Sequence, residues 1–243
     1  MTPEFVIVVF GLIMGSFLNV CIYRIPREQS IVLPPSACPK CGHRLSPLEL
    51  IPVISFLIQG CKCRECKDSI SWRYPLIEIL TAVIFYLVYL RFGASFETLK
   101  YLILSGLMMV IALIDFDLQI IPNVLSIPGI VIGLILSYDR IFDSLLGIAV
   151  GFLIIWLVVQ LSRGGMGLGD AKLLAMIGAF AGWQVVIYTL FLGSFLGSIV
   201  GGIMILAKKA TRKTAIPFGP YLCLGAVLVI LFDLPKNYWL LFH

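Results

Sequence analysis

The sequence predicts an all-α polytopic membrane protein of about eight transmembrane helices, with one small cytoplasmic, zinc-ribbon-like insert. Three observations carry this. First, 60% of the 243 residues are hydrophobic, 13% are charged and the mean hydropathy is +1.05. A soluble domain has about 45–50% apolar and roughly 25% charged residues, so one soluble core cannot bury this chain. Second, the apolar stretches are continuous and lack the period-2 alternation of an outer-membrane barrel, which makes the spans helical. Third, with the N-terminus outside, the loops 24–74, 115–123, 162–170 and 207–215 fall in the cytoplasm and gather fourteen Lys and Arg residues (Lys172 included), against four on the other side. That asymmetry obeys the positive-inside rule and supports both span count and orientation.

The candidate spans are 4–23, 75–90, 98–114, 124–138, 143–161, 171–182, 185–206 and 216–232. The first has no basic residues before it, and Arg24 and Arg27 follow it, which is the wrong polarity for a cleaved signal peptide. It reads as a retained span. The stretch 171–206 is too long for one crossing and divides near Gly182-Trp183, with Trp183 as an interfacial anchor. Three domains follow from this layout: a first transmembrane helix over 1–23, the insert over 24–74 and a membrane domain over 75–243.

Residues 24–74 are too long and polar for an ordinary connection. They contain C-P-K-C at 38–41 and C-R-E-C at 63–66, with 21 residues between the pairs. Two such knuckles fit a four-thiolate zinc site made by Cys38, Cys41, Cys63 and Cys66. A disulfide pair is the rival, and a reducing cytoplasm disfavours it. Cys61 competes with Cys63 for one ligand position, and the common CxxC spacing favours Cys63. Four thiolates leave no open position, so the zinc is structural. His43 reads as a solvated loop residue, and Cys21 and Cys223 as small packing residues. The ten-residue apolar stretch Leu48–Leu57 is interrupted by Pro52 and is too short to span; it reads as a re-entrant or surface-lying piece.

Acidic residues are scarce outside the insert. Asp139, Asp143, Glu97 and Asp233 sit at the outer ends of spans, whereas Asp115, Asp117 and Asp170 sit at cytoplasmic ends beside chain breaks. Each of the latter is compatible with a hydrated helix cap, but intramembrane acids are functional candidates by default. Two carboxylates from different helices at one face suit aspartyl hydrolysis, in which the pair shares one proton and activates water. The glycines of R-G-G-M-G-L-G-D-A-K (163–172) permit close approach of a peptide backbone. Asp115 and Asp117 point to nearly opposite helix faces, and periodicity does not choose between them. No G-x-S-x-G, H-E-x-x-H or G-K-[ST] occurs, and His43 and His243 are the only histidines, which leaves no His-based triad. The G-x-G run is a poor phosphate loop, because an acid at the helix start repels phosphate.

The segment G-M-G-L-G-D-A-K-L (165–173) resembles the GxGD signature of membrane aspartyl proteases, specifically bacterial type IV prepilin peptidases. The resemblance extends over nearly the whole chain, through G-S-F-L-N-V-C-I-Y-R-I-P (15–26), the paired CxxC insert, W-R-Y-P-L-I-E (72–78), A-L-I-D-F-D-L-Q-I-I-P-N (112–123) and I-P-F-G-P-Y-L (216–222). It implies that Asp115 pairs with Asp170 as the catalytic acids, with Asp117 a neighbour. Asn123 stands where many relatives carry Asp, and Cys61 is an addition beside the second knuckle. The implied activity is cleavage of the basic leader of type IV prepilins or secretion pseudopilins at the cytoplasmic face of the bacterial inner membrane. It extends to N-methylation of the new terminus by S-adenosylmethionine. Asn19, Arg24, Arg73 and Glu78 lie in matching motifs near the insert without an assigned role. Substrate and lipid are the partners implied, and nucleic acid is not among them. A peptidase without methylation, an ion- or proton-coupled transporter with a regulatory ribbon, and a scaffold for a secretion partner are the competing readings.

Overall fold

The computed structural model describes residues 2–161, 167–208 and 216–234. Arg163, Gly164 and Gly165 of the glycine-rich turn, and the basic residues Lys209, Arg212, Lys213 and Lys236 of the charge tally, lie outside the described residues, as does His243. The helices are α1 (Pro3–Arg24), α2 (Ile54–Ile58), α3 (Arg73–Phe92), α4 (Phe96–Leu118), α5 (Asn123–Leu136), α6 (Ile141–Leu161), α7 (Leu168–Leu206) and α8 (Gly219–Phe232). Five of them are long and apolar enough to cross a membrane, and α5 and α8 are shorter apolar helices.

The 39 residues of α7 would extend about 58 Å as one rod, roughly twice the hydrocarbon thickness. The helix is broken at Gly182, whose φ of 82° and ψ of 174° are non-helical. Two helical segments meet there, as the sequence predicts, and with them the described residues contain eight apolar membrane-type helical segments. The break is held from α6 and from the turn before it. Ser137 Oγ donates to the Phe180 carbonyl at 3.1 Å, a carbonyl that the interrupted helix leaves without its usual amide. The Asp143 carboxylate lies against Gly182, where the second segment begins and its free N–H groups favour negative charge.

The chain divides after Thr98 into two compact units. In the first, α1 and α3 pack antiparallel through an i, i+4 pair of glycines: a Cβ on Gly11 would lie 2.6 Å from Ala82 Cα, and one on Gly15 2.6 Å from Glu78 Cα. The fold groups α3 with α1 and the insert in this unit. The reason is this glycine-lined contact, which lets the backbones approach as small residues do in membranes.

The second unit is organised around the first segment of α7. Leu173, Leu174, Met176, Ile177 and Phe180 are fully buried. The helix runs antiparallel to α6, where Gly147 meets Gly178 and Gly151 meets Leu174, and parallel to α5, where Gly129 meets Met176 and Gly133 meets Phe180. Its second segment runs antiparallel to α8, with Gly193 against Leu222. Close packing rather than hydrophobic exclusion holds helices together in lipid, so each crossing tolerates little added volume.

The Gly147 crossing gives a direct prediction. A Cβ there would stand 2.6 Å from the Gly178 carbonyl oxygen, whereas one on Gly106 in α4 meets nothing within 4 Å. Gly147→Leu should destabilise by about 1–3 kcal/mol or more through overpacking. Gly106→Ala should be neutral or stabilise by up to about 1 kcal/mol. Thermal unfolding in detergent distinguishes them; equal melting temperatures would contradict the crossing.

Candidate functional site

The second unit brings Asp115 and Asp170 together. Asp115 lies in the last turn of α4 and Asp170 at the third helical position of α7, and they are 5% and 8% exposed. Each is within electrostatic reach of the other. Asp117 points outward and is exposed, as expected two residues further along the helix. Of the two acids between which periodicity does not choose, Asp115 is the buried one.

A carboxylate at a helix C-terminus opposes the helix dipole. Its compensation comes from α8: the Gly219 N–H donates to Asp115 Oδ2 at 2.9 Å. Gly219 is the first residue of α8, so its N–H has no partner within its own helix. A Cβ there would approach Asp115 Oδ2 to 2.7 Å, so any larger residue would force the carboxylate to shift. Cys223, one turn along α8, is buried within reach of both acids. The sequence reading places Cys223 in general packing and gives Gly219 no contact. The P-F-G-P segment at 217–220 is the local signal, but its target lies 104 residues away.

Asp170 is not the N-cap of α7; Gly167 is, without a side-chain cap. The chain between the acids is latched to the start of α7 at two points. Gly169 packs on Ile121, where a Cβ would come within 3.0 Å, and Lys172 Nζ donates to Asn123 Oδ1 at 2.7 Å. Lys172 thus ties α7 to the start of α5, and Asn123 fits this role because its amide oxygen accepts the ammonium proton. Beside Gly219, a cleft of about 310 Å³ opens between Ser194, Ser198, Ile216, Phe218 and Tyr221.

In the first unit, Cys38, Cys41, Cys63 and Cys66 bring all four sulfurs within 4.8 Å of one another. Cys38 and Cys66 are 3.8 Å apart, and Cys41 and Cys63 are 3.9 Å apart. A tetrahedral ion with metal–sulfur bonds of about 2.3 Å places its sulfurs roughly 3.8 Å apart, so the four donors fit such an ion. The distances are far longer than a disulfide bond of about 2.05 Å. Both knuckles are built alike. A bridge joins Ala37 to Arg44 in one and Lys62 to Ser69 in the other, and the residue after the second cysteine, Gly42 or Lys67, is left-handed. Backbone N–H groups of Cys41 and then Lys40 hold the Cys38 thiol down at about 6, favouring the thiolate that a metal needs. Cys61 is outside the cluster; its carbonyl accepts the Ile70 N–H at 2.8 Å.

The insert's remaining polar groups are organised around that cluster. His43 is not a ligand: its Nε2 lies 3.3 Å from Glu49 Oε2. Glu49 closes a capping box with Ser46, whose N–H and hydroxyl hold its carboxyl down at about 2. Arg24 donates to the carbonyls of Ser30 and Pro34, shaping the loop after α1. Asn19 bridges Gly15 and Tyr74 with its side-chain amide, both at 3.2 Å. Pro47–Leu50 forms a 3₁₀ turn and α2 follows, so the apolar stretch 48–57 folds as a short broken piece beside α1 and α3.

Taken together, these features define a multi-pass membrane protein with a buried carboxylate pair in one unit and, in the other, a four-cysteine group whose geometry fits a metal ion. Residues 102–202 match the type IV leader peptidase family, and residues 9–92 match the bacterial peptidase A24 N-terminal domain. The prepilin leader peptidase/N-methyltransferase of Pseudomonas aeruginosa is 38% identical over 256 residues, covering 92% of this chain and 88% of its own. The protein of that name from Bacillus subtilis is 35% identical over 231 residues, covering 93% of each. The chain belongs to the type IV leader peptidase family. No solved structure matches it.

Metal content separates the two neighbouring cysteines. Cys63→Ser should lower bound metal at least tenfold at limiting free metal, whereas Cys61→Ser should keep it, because only Cys63 joins the cluster. Elemental analysis of the purified proteins reads the difference; metal lost with Cys61 and kept without Cys63 would refute the geometry.

Proposed function

We propose that this protein cleaves the leader from type IV prepilins or pseudopilins with Asp115 and Asp170, at the cytoplasmic face of the bacterial inner membrane. The observation that carries this reading is the burial of two carboxylates from separate helices within each other's reach. Two acids so placed share a proton more readily than either bears two charges. The ionised member takes a proton from a water lying between them as its oxygen attacks the scissile carbonyl. The protonated member hydrogen-bonds the carbonyl oxygen and supports the developing charge. Collapse of the tetrahedral intermediate sends a proton to the leaving amine and restores the shared proton. Gly219 engages one oxygen of Asp115 and so orients the other toward the water. The adjoining cleft at Ser194–Tyr221 offers room for a residue flanking the cut.

Methyl transfer to the new N-terminus, with S-adenosylmethionine as donor, is assigned to the first unit. The support is the separate family match over 9–92 and the bifunctional name of the relatives. Zinc suits the four cysteines: four thiolates complete its tetrahedral shell, and the ion serves the fold of the insert.

Cleavage of a prepilin-like peptide by purified protein tests the dyad. Asp115→Asn and Asp170→Asn should each lose at least about 10²–10⁴-fold in kcat, the usual contribution of acid–base groups. Asp117→Asn should stay within about threefold. Normal cleavage by either of the first two would remove the assignment.

A further inference from the structure

Glu78 lies in the sixth position of the membrane helix α3 and is 7% exposed. A carboxylate so placed is costly unless it has partners, and by default it marks a functional site. Its partners come from two other segments. Its Oε2 accepts the Val53 N–H at 2.8 Å, and it takes a hydrogen bond from the Ser16 hydroxyl of α1. Gly15, packed on Glu78, brings α1 close enough for this.

Val53 is itself unusual. Its φ of 60° and ψ of −50°, with the Ile54 N–H donating to the Pro52 carbonyl at 2.5 Å, form the positive-φ γ-turn. That form is rare and strained, the more so at a β-branched residue. Such strain persists only where the surroundings hold it, and it gathers at functional sites. Here the holder is a hydrogen bond to the strained residue's own N–H.

The turn has two consequences. Pro52, Val53 and Ile54 line an open apolar groove of about 350 Å³ together with Val8 and Leu12 of α1 and Val83 and Tyr86 of α3. The chain then leads directly to the thiolates. Phe56 is buried edge-on against Trp72, with ring centroids 4.8 Å apart, and its carbonyl accepts the Cys61 N–H at 2.9 Å, two residues before Cys63. Glu78 is thus the membrane-side end of a continuous set of contacts to the metal-binding cluster.

We infer that Glu78 is a positioning residue for methyl transfer: its acceptor oxygen, rather than its charge, locks the Val53 turn and thereby seats the four-cysteine insert on α1 and α3. This rests on the assignment of methyl transfer to the first unit. Glutamine retains an acceptor for the Val53 N–H and can instead donate to the Ser16 hydroxyl oxygen, whereas methionine matches the length and offers neither.

The test uses the full-length protein in detergent, as wild type, Glu78→Gln and Glu78→Met. Three readouts are taken: hydrogen exchange over residues 53–61, cleavage of a prepilin-like peptide, and methylation of the precut peptide with S-adenosylmethionine. Glu78→Met should speed exchange at least tenfold and cut methylation at least twentyfold, with cleavage within twofold. Glu78→Gln should stay within threefold of wild type throughout. Methylation and exchange undisturbed in Glu78→Met would overturn the proposal, as would a Glu78→Gln variant as impaired as Glu78→Met. A Glu78→Met protein that does not fold leaves the Glu78→Gln result decisive. Wild type that cleaves without methylating would instead defeat the assignment of methyl transfer, and exchange would still decide whether Glu78 holds the turn.

Discussion

The hydrogen bond from Gly219 to Asp115 is the contact on which the second unit depends. Asp115 ends an apolar helix, where its charge is disfavoured by both the dipole of α4 and the scarcity of water. The N-terminus of α8 supplies an N–H that its own helix cannot use, and glycine allows the approach without displacing the carboxylate. That one contact makes α8 a component of the site rather than a further lipid-facing helix. In the proposed mechanism Asp170 must stand close to Asp115, because the two acids act only as neighbours. The first segment of α7 meets this requirement by being packed on several sides, with glycines at its crossings with α5 and α6 holding it at close range. Rigidity around the acids comes from this packing, and the latches Gly169–Ile121 and Lys172–Asn123 extend it to the connecting chain.

The first unit solves a different problem with similar means. Its insert has few buried apolar residues, and cross-linking by metal offers what a core of that size cannot. Cys63 and Phe56 are the buried residues of the insert, one a member of the four-cysteine cluster and the other an anchor against Trp72. Arg24 of α1 holds the start of the insert through the Ser30 and Pro34 carbonyls, and Glu78 of α3 holds the Val53 turn within apolar surroundings. A single directional bond within an apolar contact sets register without adding much area, which is how buried polar groups specify structure when fully satisfied.

Much of this was legible in the residues. Continuous apolar runs mark spans because lipid leaves the backbone no alternative to helix. The break at Gly182 follows from length, and the choice of Cys63 over Cys61 from the reach of a CxxC knuckle. The short nature of 48–57 follows from Pro52 and from its ten residues. What stayed hidden was partnership across long separations. Nothing local in P-F-G-P says that its amide meets Asp115, and nothing in the Lys172 helix points to Asn123. The Val53 turn was hidden for a related reason: β-branched residues disfavour positive φ, so only a tertiary contact such as that of Glu78 can impose it. The pairing of α3 with α1 was hidden as well, because it lies in glycine spacing, a signal that shows a close approach without naming the partner helix.

The neighbourhood of the two acids is tested most directly by cross-linking in native membranes. Paired cysteines at 115 and 170, with Cys223 replaced by serine, should join rapidly through a short bifunctional thiol reagent, whereas a pair at 117 and 170 should join at least tenfold more slowly. Faster joining of 117 with 170, or no joining of 115 with 170, would contradict the carboxylate pair.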